Sequence, residues 1–325
     1  MRILNAEPLM YSDQARAILL SLGELVEEPV DRARLLTLAP DFDVLIVRLG
    51  HQIDREILDA GARLKAIVTA TTGLDHIDLV YAAEKGIAVL SLRGEIDFLR
   101  TVSATAEHTW ALLLALLRNI PSSFASVRAG NWNRDSFRGR ELEGRRLGLL
   151  GLGRIGQKVA RYGLAFDMSV FACDPYALQW VDGVARCVSL PELLGNSDVL
   201  SIHVPLNSET IGLIGKEELQ LLPPTSILLN TSRAEVVDAN ALLDVLNAGS
   251  LAGAALDFIP EERDAEKRLS SPLLEYARKH ENLLITPHLG GATYESMRKT
   301  EIFMAQKLFA WAQTEYKSMK GFHEK

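Results

Sequence analysis

Residues Leu147-Gly-Leu-Leu-Gly-Leu-Gly-Arg-Ile-Gly156 decide the architecture of this chain. An apolar run over 147–150 leads straight into Gly151-Leu152-Gly153-Arg154-Ile155-Gly156, and a helical pattern over 155–165 follows. The first glycine permits a tight turn, the second lets backbone approach a ligand closely, and the third lets a helix pack on the strand before it. The start of that helix adds N–H donors and the positive end of a dipole, so the turn suits a pyrophosphate. Glycines at this spacing are weak evidence by themselves. Here the next apolar run, Ser169–Cys173, ends in Asp174, whose carboxylate would accept from ribose hydroxyls and repel a 2′-phosphate. Strand, turn, helix, strand and acid in this order read as a dinucleotide site for NAD rather than NADP.

The same alternation extends in both directions. Short apolar runs over 2–5, 44–47, 66–70 and 88–92 predict strands, separated by helical patterns over 12–22, 55–60 and 79–85. After the glycine turn, strands are expected over 199–203, 227–230, 254–256 and 283–286, with helices over 191–194, 216–222 and 239–247. Strands apolar on both faces, alternating with helices, call for parallel sheets covered on both sides. A long pattern over 103–120 is apolar nearly all round and predicts a buried helix at a domain junction or subunit interface, ended by Pro121. An amphipathic helix over 293 to about 317 closes the chain.

Composition narrows the function. Of 325 residues, 35 are Lys or Arg and 42 are Asp or Glu, a formal charge of −7, which disfavours nucleic acid because phosphate binding needs a basic stripe. With 48% hydrophobic and 24% charged residues, the chain has ample material for two cores. Two cysteines, Cys173 and Cys187, cannot build a disulfide framework, and the run 110–117 is too short to span a bilayer, so a cytoplasmic protein without membrane contact is expected. His51, His76, His108 and His203 show no metal-ligand spacing, and no metal is expected. His108 is expected to pack near the domain junction.

Reduction of a carbonyl by hydride needs a proton donor, a cation for anionic oxygens, and a group that orients the donor. In an open α/β sheet such groups belong at the carboxyl ends of strands. Three residues stand there: Arg233 after 227–230, Glu262 beyond Asp257, and His288 after 283–286. Singly, an arginine there is more often a surface ion pair, Glu262 sits in an acidic run that reads as a solvated loop, and a lone histidine is more often structural.

Taken together, the segments from about Val44 to Met297 resemble the D-isomer-specific 2-hydroxyacid dehydrogenase family. They are Thr72-Gly-Leu-Asp-His-Ile-Asp78, Thr105-Ala-Glu-His108, the Gly151–Gly156 turn with Asp174-Pro175, His203-Val-Pro205, Asn230-Thr-Ser-Arg233, Gly253-Ala-Ala-Leu-Asp257 and Thr286-Pro-His288-Leu-Gly-Gly291. The resemblance is to phosphoglycerate dehydrogenase-like members, and the chain is expected to lack their C-terminal regulatory domain. It implies an NAD-dependent enzyme interconverting a D-2-hydroxy acid and its 2-oxo acid. In that enzyme His288 would be the acid/base, Glu262 would hold its other ring nitrogen, and Arg233 would bind the substrate carboxylate. Arg154, Ile155, His203, Pro205, Thr231 and Asp257 would join the glycines, Asp174 and Pro175 at the cofactor. The backbone of Thr72, Gly73, Leu74 and Asp75 would take the carboxylate, and Arg48 matches a position at the substrate's far end, leaving phosphorylated and unphosphorylated acids both open.

Two departures matter. The acidic run Asp257-Phe-Ile-Pro-Glu261-Glu262-Arg263 lacks the family's trailing proline, so Glu261 is the fallback partner for His288. Where the family often has Asn-x-Pro, this chain has Ser91-Leu-Arg-Gly-Glu-Ile-Asp-Phe-Leu-Arg100, which would reshape the substrate pocket or hinge. The implied fold is a Rossmann-type cofactor domain, 99–289, inserted in a smaller flavodoxin-like α/β substrate domain, 1–98 with 290–325. Catalysis is expected in a cleft between them, with homodimer contact through the cofactor domains. The rival is an NAD(H)-sensing corepressor-like binding protein on the same scaffold.

Overall fold

The strands are three to five residues long and, apart from the charged edge strands, largely apolar, with neighbouring residues pointing to opposite faces, and this fixes two layered α/β units. The computed structural model describes residues 1–316. One unit comprises Met1–Val102 with Thr293–Lys325, the other Ser103–Ala292. Residues 317–325, expected at the end of the substrate domain, lie outside the described residues.

The first unit holds β1 (Arg2–Asn5), β2 (Glu24–Glu27), β3 (Val44–Val47), β4 (Ala66–Thr69) and β5 (Ala88–Leu90), all parallel, in the order β2-β1-β3-β4-β5. This is the flavodoxin-like order. Ile3, Val44, Ile46 and Val68 face one apolar cluster, while Leu4, Leu45, Val47 and Ile67 face the other. The returning helix Tyr294–Trp311 buries Met304, Ala305, Leu308 and Trp311 in the first cluster, beside Ala15 and Leu19 of the helix Asp13–Leu20.

The second unit holds β6 (Arg146–Leu150), β7 (Ser169–Cys173), β8 (Val184–Arg186), β9 (Val199–Ile202), β10 (Ile227–Asn230), β11 (Gly253–Leu256) and β12 (Leu283–Ile285). They form one parallel sheet in the order β12-β11-β10-β9-β6-β7-β8, the doubly wound Rossmann arrangement. Strand order reverses between β6 and β9, where this architecture binds its ligands. Again the faces alternate: Leu149 and Leu229 enter one cluster, Leu150 and Leu228 the other. Truncating one of these fully buried leucines to alanine costs about 2–5 kcal/mol.

Three expectations are corrected. The boundary lies after Val102 rather than Phe98, because the helix Ile96–Arg100 belongs to the first unit: Phe98 stacks on Phe303 with centroids 4.0 Å apart, and Lys307 bonds Ser91 O and Glu95. The unusual segment 91–100 is thus a bracket on the returning helix. Second, the long helix runs Ala104–Leu117 and stops at Asn119 in the left-handed region (φ 51°), after which Pro121 opens a new helix, Ile120–Arg128. Proline ends helices in their interior but starts them well in the first turn. Third, β2 and β8 are additional to the expected strands, because these edge strands are short and carry charge (Glu24-Leu-Val-Glu27, Val184-Ala-Arg186).

Candidate active site

The glycine turn is built as a cradle. Gly151 sits at φ +95°, and a Cβ there would lie 2.8 Å from the His203 carbonyl oxygen. A Cβ on Gly156 would lie 2.2 Å from the Gly151 carbonyl, so the helix Arg154–Ala165 can approach the turn only through glycine. A Cβ on Gly153 would meet nothing within 4 Å: that space is open to a ligand. Gly153 is also the N-cap, and no side chain caps the first turn, which leaves its donors for a phosphate. Arg154 heads this helix, and burial pushes its guanidinium below the ordinary arginine pKa. Ile155 packs into the core behind it.

At the end of β7, Asp174 accepts from Leu152 N at 2.7 Å and from Tyr176 N at 2.8 Å, which fixes its carboxylate against the turn with lone pairs to spare. Pro175 beside it is exposed. After β9, His203 N donates to Leu150 O at 2.8 Å, and its Nε2 lies 2.8 Å from Ser201 Oγ. Desolvation of this half-buried ring pushes its pKa down to about 3, so the imidazole is neutral at working pH. The next turn is held by Thr210 Oγ1 donating to Pro205 O at 2.6 Å. Thr231, buried after β10, pairs through its hydroxyl with Thr109 at 2.8 Å.

Three adjacent strands, β10, β11 and β12, carry the chemical groups past their carboxyl ends. After β10, Asn230 pins the turn by donating to Arg233 O (2.7 Å) and accepting from Ser232 N (3.0 Å), and Arg233 Nη1 donates to Ser232 O at 2.7 Å. After β12, His288 Nδ1 lies 3.0 and 3.2 Å from the two carboxylate oxygens of Glu262. Glu262, not Glu261, therefore holds this ring. Both side chains are largely but not wholly buried, and Phe258 packs edge-on to the imidazole at 5.4 Å. With Nδ1–H donated to a carboxylate, Nε2 is left as the position for proton exchange.

His288 adopts φ +57°, unusual for a residue with a Cβ. Asp257, after β11, maintains it. The Asp257 carbonyl accepts from His288 N, and its carboxylate accepts from Leu289 N and Gly290 N, each at 2.7 Å. The same carboxylate takes Thr286 Oγ1 at 2.7 Å and His108 Nε2 at 3.0 Å. Burial would raise the pKa of Asp257, but these donors outweigh it and hold the group below the usual carboxylate range. His108 is thus a polar member of this network rather than the packing residue expected. A lone histidine on an apolar helix carries no signal of that.

In the first unit, Arg48 N donates to Glu7, while its guanidinium bonds the carboxylate of Glu301, a residue 2% exposed, and Leu9 O. The loop after β4 is polarised. Its carbonyls are occupied, Thr71 O by Leu92 N (3.0 Å), Thr72 O by Arg93 (3.3 Å), Gly73 O by Thr71 (2.8 Å) and Asp75 O by Gln52 (3.4 Å). The N–H groups of Thr72, Gly73 and Leu74 donate to no other described residue. Among the described residues no cluster of His, Cys, Asp and Glu could hold a metal, and no single helix is long and apolar enough to cross a membrane.

Residues 110–290 match the NAD-binding domain of the D-isomer specific 2-hydroxyacid dehydrogenases. The chain belongs to this family. It is 35% identical over 311 residues to a D-3-phosphoglycerate dehydrogenase of Methanocaldococcus jannaschii, covering 94% of this chain but 56% of that relative. It therefore spans about half the length of the curated phosphoglycerate dehydrogenases it matches. It is 35% identical over 286 residues to a hydroxypyruvate reductase of Thermotoga maritima, covering 88% of this chain and 90% of the relative. Among solved structures, D-lactate dehydrogenase from Aquifex aeolicus, complexed with NAD and lactic acid, superposes with a TM-score of 0.82 at 30% identity and covers 99% of this chain and 98% of its own. The glycine turn of this dehydrogenase family member, with its open Gly153 and neighbouring Asp174, fits NAD.

Proposed function

We propose that this chain is an NAD-dependent oxidoreductase that interconverts a small 2-oxo acid and the D-2-hydroxy acid. The observation that carries the reading is the Glu262–His288 pair at 3.0 Å on the strand ends of a Rossmann sheet. NADH, which Gly151–Gly156 and Asp174 would hold, would supply the hydride. During reduction His288 Nε2 gives its proton to the carbonyl oxygen, and in oxidation it removes the hydroxyl proton. Glu262 accepts Nδ1–H throughout and so fixes the ring and its tautomer. The forked cation of Arg233 binds the substrate carboxylate and polarises the carbonyl beside it. Within the first unit, the loop after β4 turns its carbonyls into other bonds and leaves the amides of Thr72, Gly73 and Leu74 as donors suited to an anion.

The substrate is unphosphorylated in this reading. Arg48 is the cation that the sequence offered to a second anionic group, and Glu301 and Leu9 O already occupy it. Hydroxypyruvate, named for a relative, and glyoxylate or pyruvate fit a single carboxylate. Ile120, Phe124 and Val127 form an exposed stripe at helical spacing and Trp132 follows, 89% exposed, which supports a homodimer through the second unit. The free thiols Cys173 and Cys187 support a cytoplasmic setting.

The test is NADH oxidation by purified protein with glyoxylate, hydroxypyruvate, pyruvate and phosphohydroxypyruvate. Turnover of the unphosphorylated acids, with kcat/KM above that for phosphohydroxypyruvate, is expected. No oxidation with any of the four would overturn the enzymatic reading in favour of a binding protein, and preference for the phosphorylated acid would overturn the substrate class.

A further inference from the structure

His108 has no part in the chemistry described above, yet its ring reaches the residue that shapes the His288 loop. It lies in the helix Ala104–Leu117 with a side chain 16% exposed. Its Nε2 is 3.0 Å from Asp257 Oδ1 and 2.9 Å from Thr286 Oγ1. Thr286 Oγ1 donates to Asp257 Oδ1 at 2.7 Å, so its remaining lone pair faces His108. Both neighbours of Nε2 therefore accept, and Nε2 carries the proton.

Asp257 is the hub on which the loop after β12 hangs. Three consecutive amides, those of His288, Leu289 and Gly290, all donate to this one residue, each at 2.7 Å. A Cβ on Gly290 would lie 2.9 Å from Asp257 Oδ2 and would push that carboxylate aside. The convergence holds His288 at φ +57°. A bond from Asp257 N to Asn230 O at 3.1 Å holds the backbone of Asp257, but its carboxylate needs a brace from another element. Among the described residues His108 supplies that brace from outside the loop, and its helix is itself tied to the residue after β10 by Thr109 Oγ1 pairing with Thr231 Oγ1 at 2.8 Å.

We infer that His108 is a positioning residue for His288, acting through the Asp257 carboxylate. This rests on the reading of His288 as the proton-exchanging group. Loss of the brace lets the carboxylate and the three amides shift together, which displaces the imidazole relative to the substrate carbonyl. A misplacement of about 1 Å caused by a residue away from the reacting atoms is enough to cost up to about 100-fold in rate.

The experiment compares the wild-type protein with His108→Leu, which removes the donor, and His108→Gln, whose side-chain amide reaches the Nε2 position. Both are also made in an Asp257→Asn background. The expected result for His108→Leu is a fall in kcat of about 10- to 100-fold with the Kd for NADH within about twofold, and recovery of most of kcat in His108→Gln. In the Asp257→Asn background His108→Leu should change kcat less than about twofold, because the residue through which it acts is already disabled. In parallel, amide hydrogen exchange at Leu289 and Gly290 should speed up in His108→Leu and not in His108→Gln. Unchanged exchange at these amides, or an equal kcat loss with and without Asp257→Asn, overturns the inference. Should His108→Leu fail to fold, Thr286→Val removes the other half of the brace and is judged by the same exchange and coupling criteria. Absence of wild-type turnover with every 2-oxo acid would sink the dehydrogenase reading, while the exchange measurement still decides whether His108 sets the loop.

Discussion

Replacing Gly153 and Gly156 by alanine, one at a time, separates what the turn does for the fold from what it does for a ligand. At Gly156 the new Cβ would sit 2.2 Å from the Gly151 carbonyl oxygen, well inside the 3.0 Å below which real Cβ contacts essentially never fall, and the obstacle is backbone. The turn must open by about 1 Å. Overpacking of this kind costs about 1–3 kcal/mol. In a unit of this size that lowers Tm by about 3–10 °C. At Gly153 the backbone is ordinary (φ −69°) and the Cβ would meet no protein atom within 4 Å. Stability should hold, or rise by about 0.4–1 kcal/mol through the loss of unfolded-state freedom. The methyl group would instead occupy the space into which a pyrophosphate must come. Losing one charge-assisted hydrogen bond there costs about 1.5–3 kcal/mol, or about 10- to 150-fold in Kd. Thermal melts and a fluorescence titration with NADH read both quantities on the same samples. If Gly153→Ala binds NADH within twofold of wild type, the pyrophosphate does not enter over Gly153 and that placement is refuted.

Other substitutions test the remaining groups. Asp174→Ala should relax discrimination against NADPH, read as the ratio of kcat/KM for the two cofactors; a mutant that still ignores NADPH removes Asp174 as the selector. His288→Ala should lower kcat by about 10²–10⁴ with NADH affinity nearly intact, and unchanged kcat would sink its role. Glu262→Gln should lower kcat by about 10²-fold while Glu261→Gln leaves it near wild type, since only Glu262 bonds the ring; the opposite ranking would reverse the assignment. His203, at about 3 in the folded state against 6.5 when free, lets the unfolded chain take up a proton that the folded chain refuses. Its contribution is full above pH 6.5 and is lost as pH falls toward 3, on the order of 2–4 kcal/mol, so His203→Gln should flatten Tm against pH across that window.

How far the sequence could be read depended on where each residue's partner lies. Strand cores such as Val44–Val47 and Ile227–Asn230 are buried on both faces, so their apolar runs alone predict them. Edge strands lack that requirement, and Glu24–Glu27 and Val184–Arg186 left no pattern. The break at Asn119 was hidden because Ile120 follows it at once as one more apolar residue, and Pro121 read as a stop where it serves as a start.

The glycines and Asp174 were legible for a different reason: they act through backbone geometry within a few residues, so spacing encodes their task. Arg233 and His288 were legible as polar residues at strand ends. His108 was not, because its partners Asp257 and Thr286 are 149 and 178 residues away in the chain, and no local pattern records so remote a pairing. Arg48 fails in the opposite sense. Its charge is plain in the sequence, but the buried Glu301 that neutralises it lies 253 residues downstream. A chain of net charge −7 proposed to bind acids must keep some cations from its own carboxylates. Counting arginines overstates that set, because an arginine paired to a buried carboxylate offers a second anion only what remains after the first is displaced, and leaving that carboxylate buried and unpaired is costly. The field that selects the substrate is set by which cations the fold has left uncommitted, a property that exists only after residues hundreds of positions apart have met.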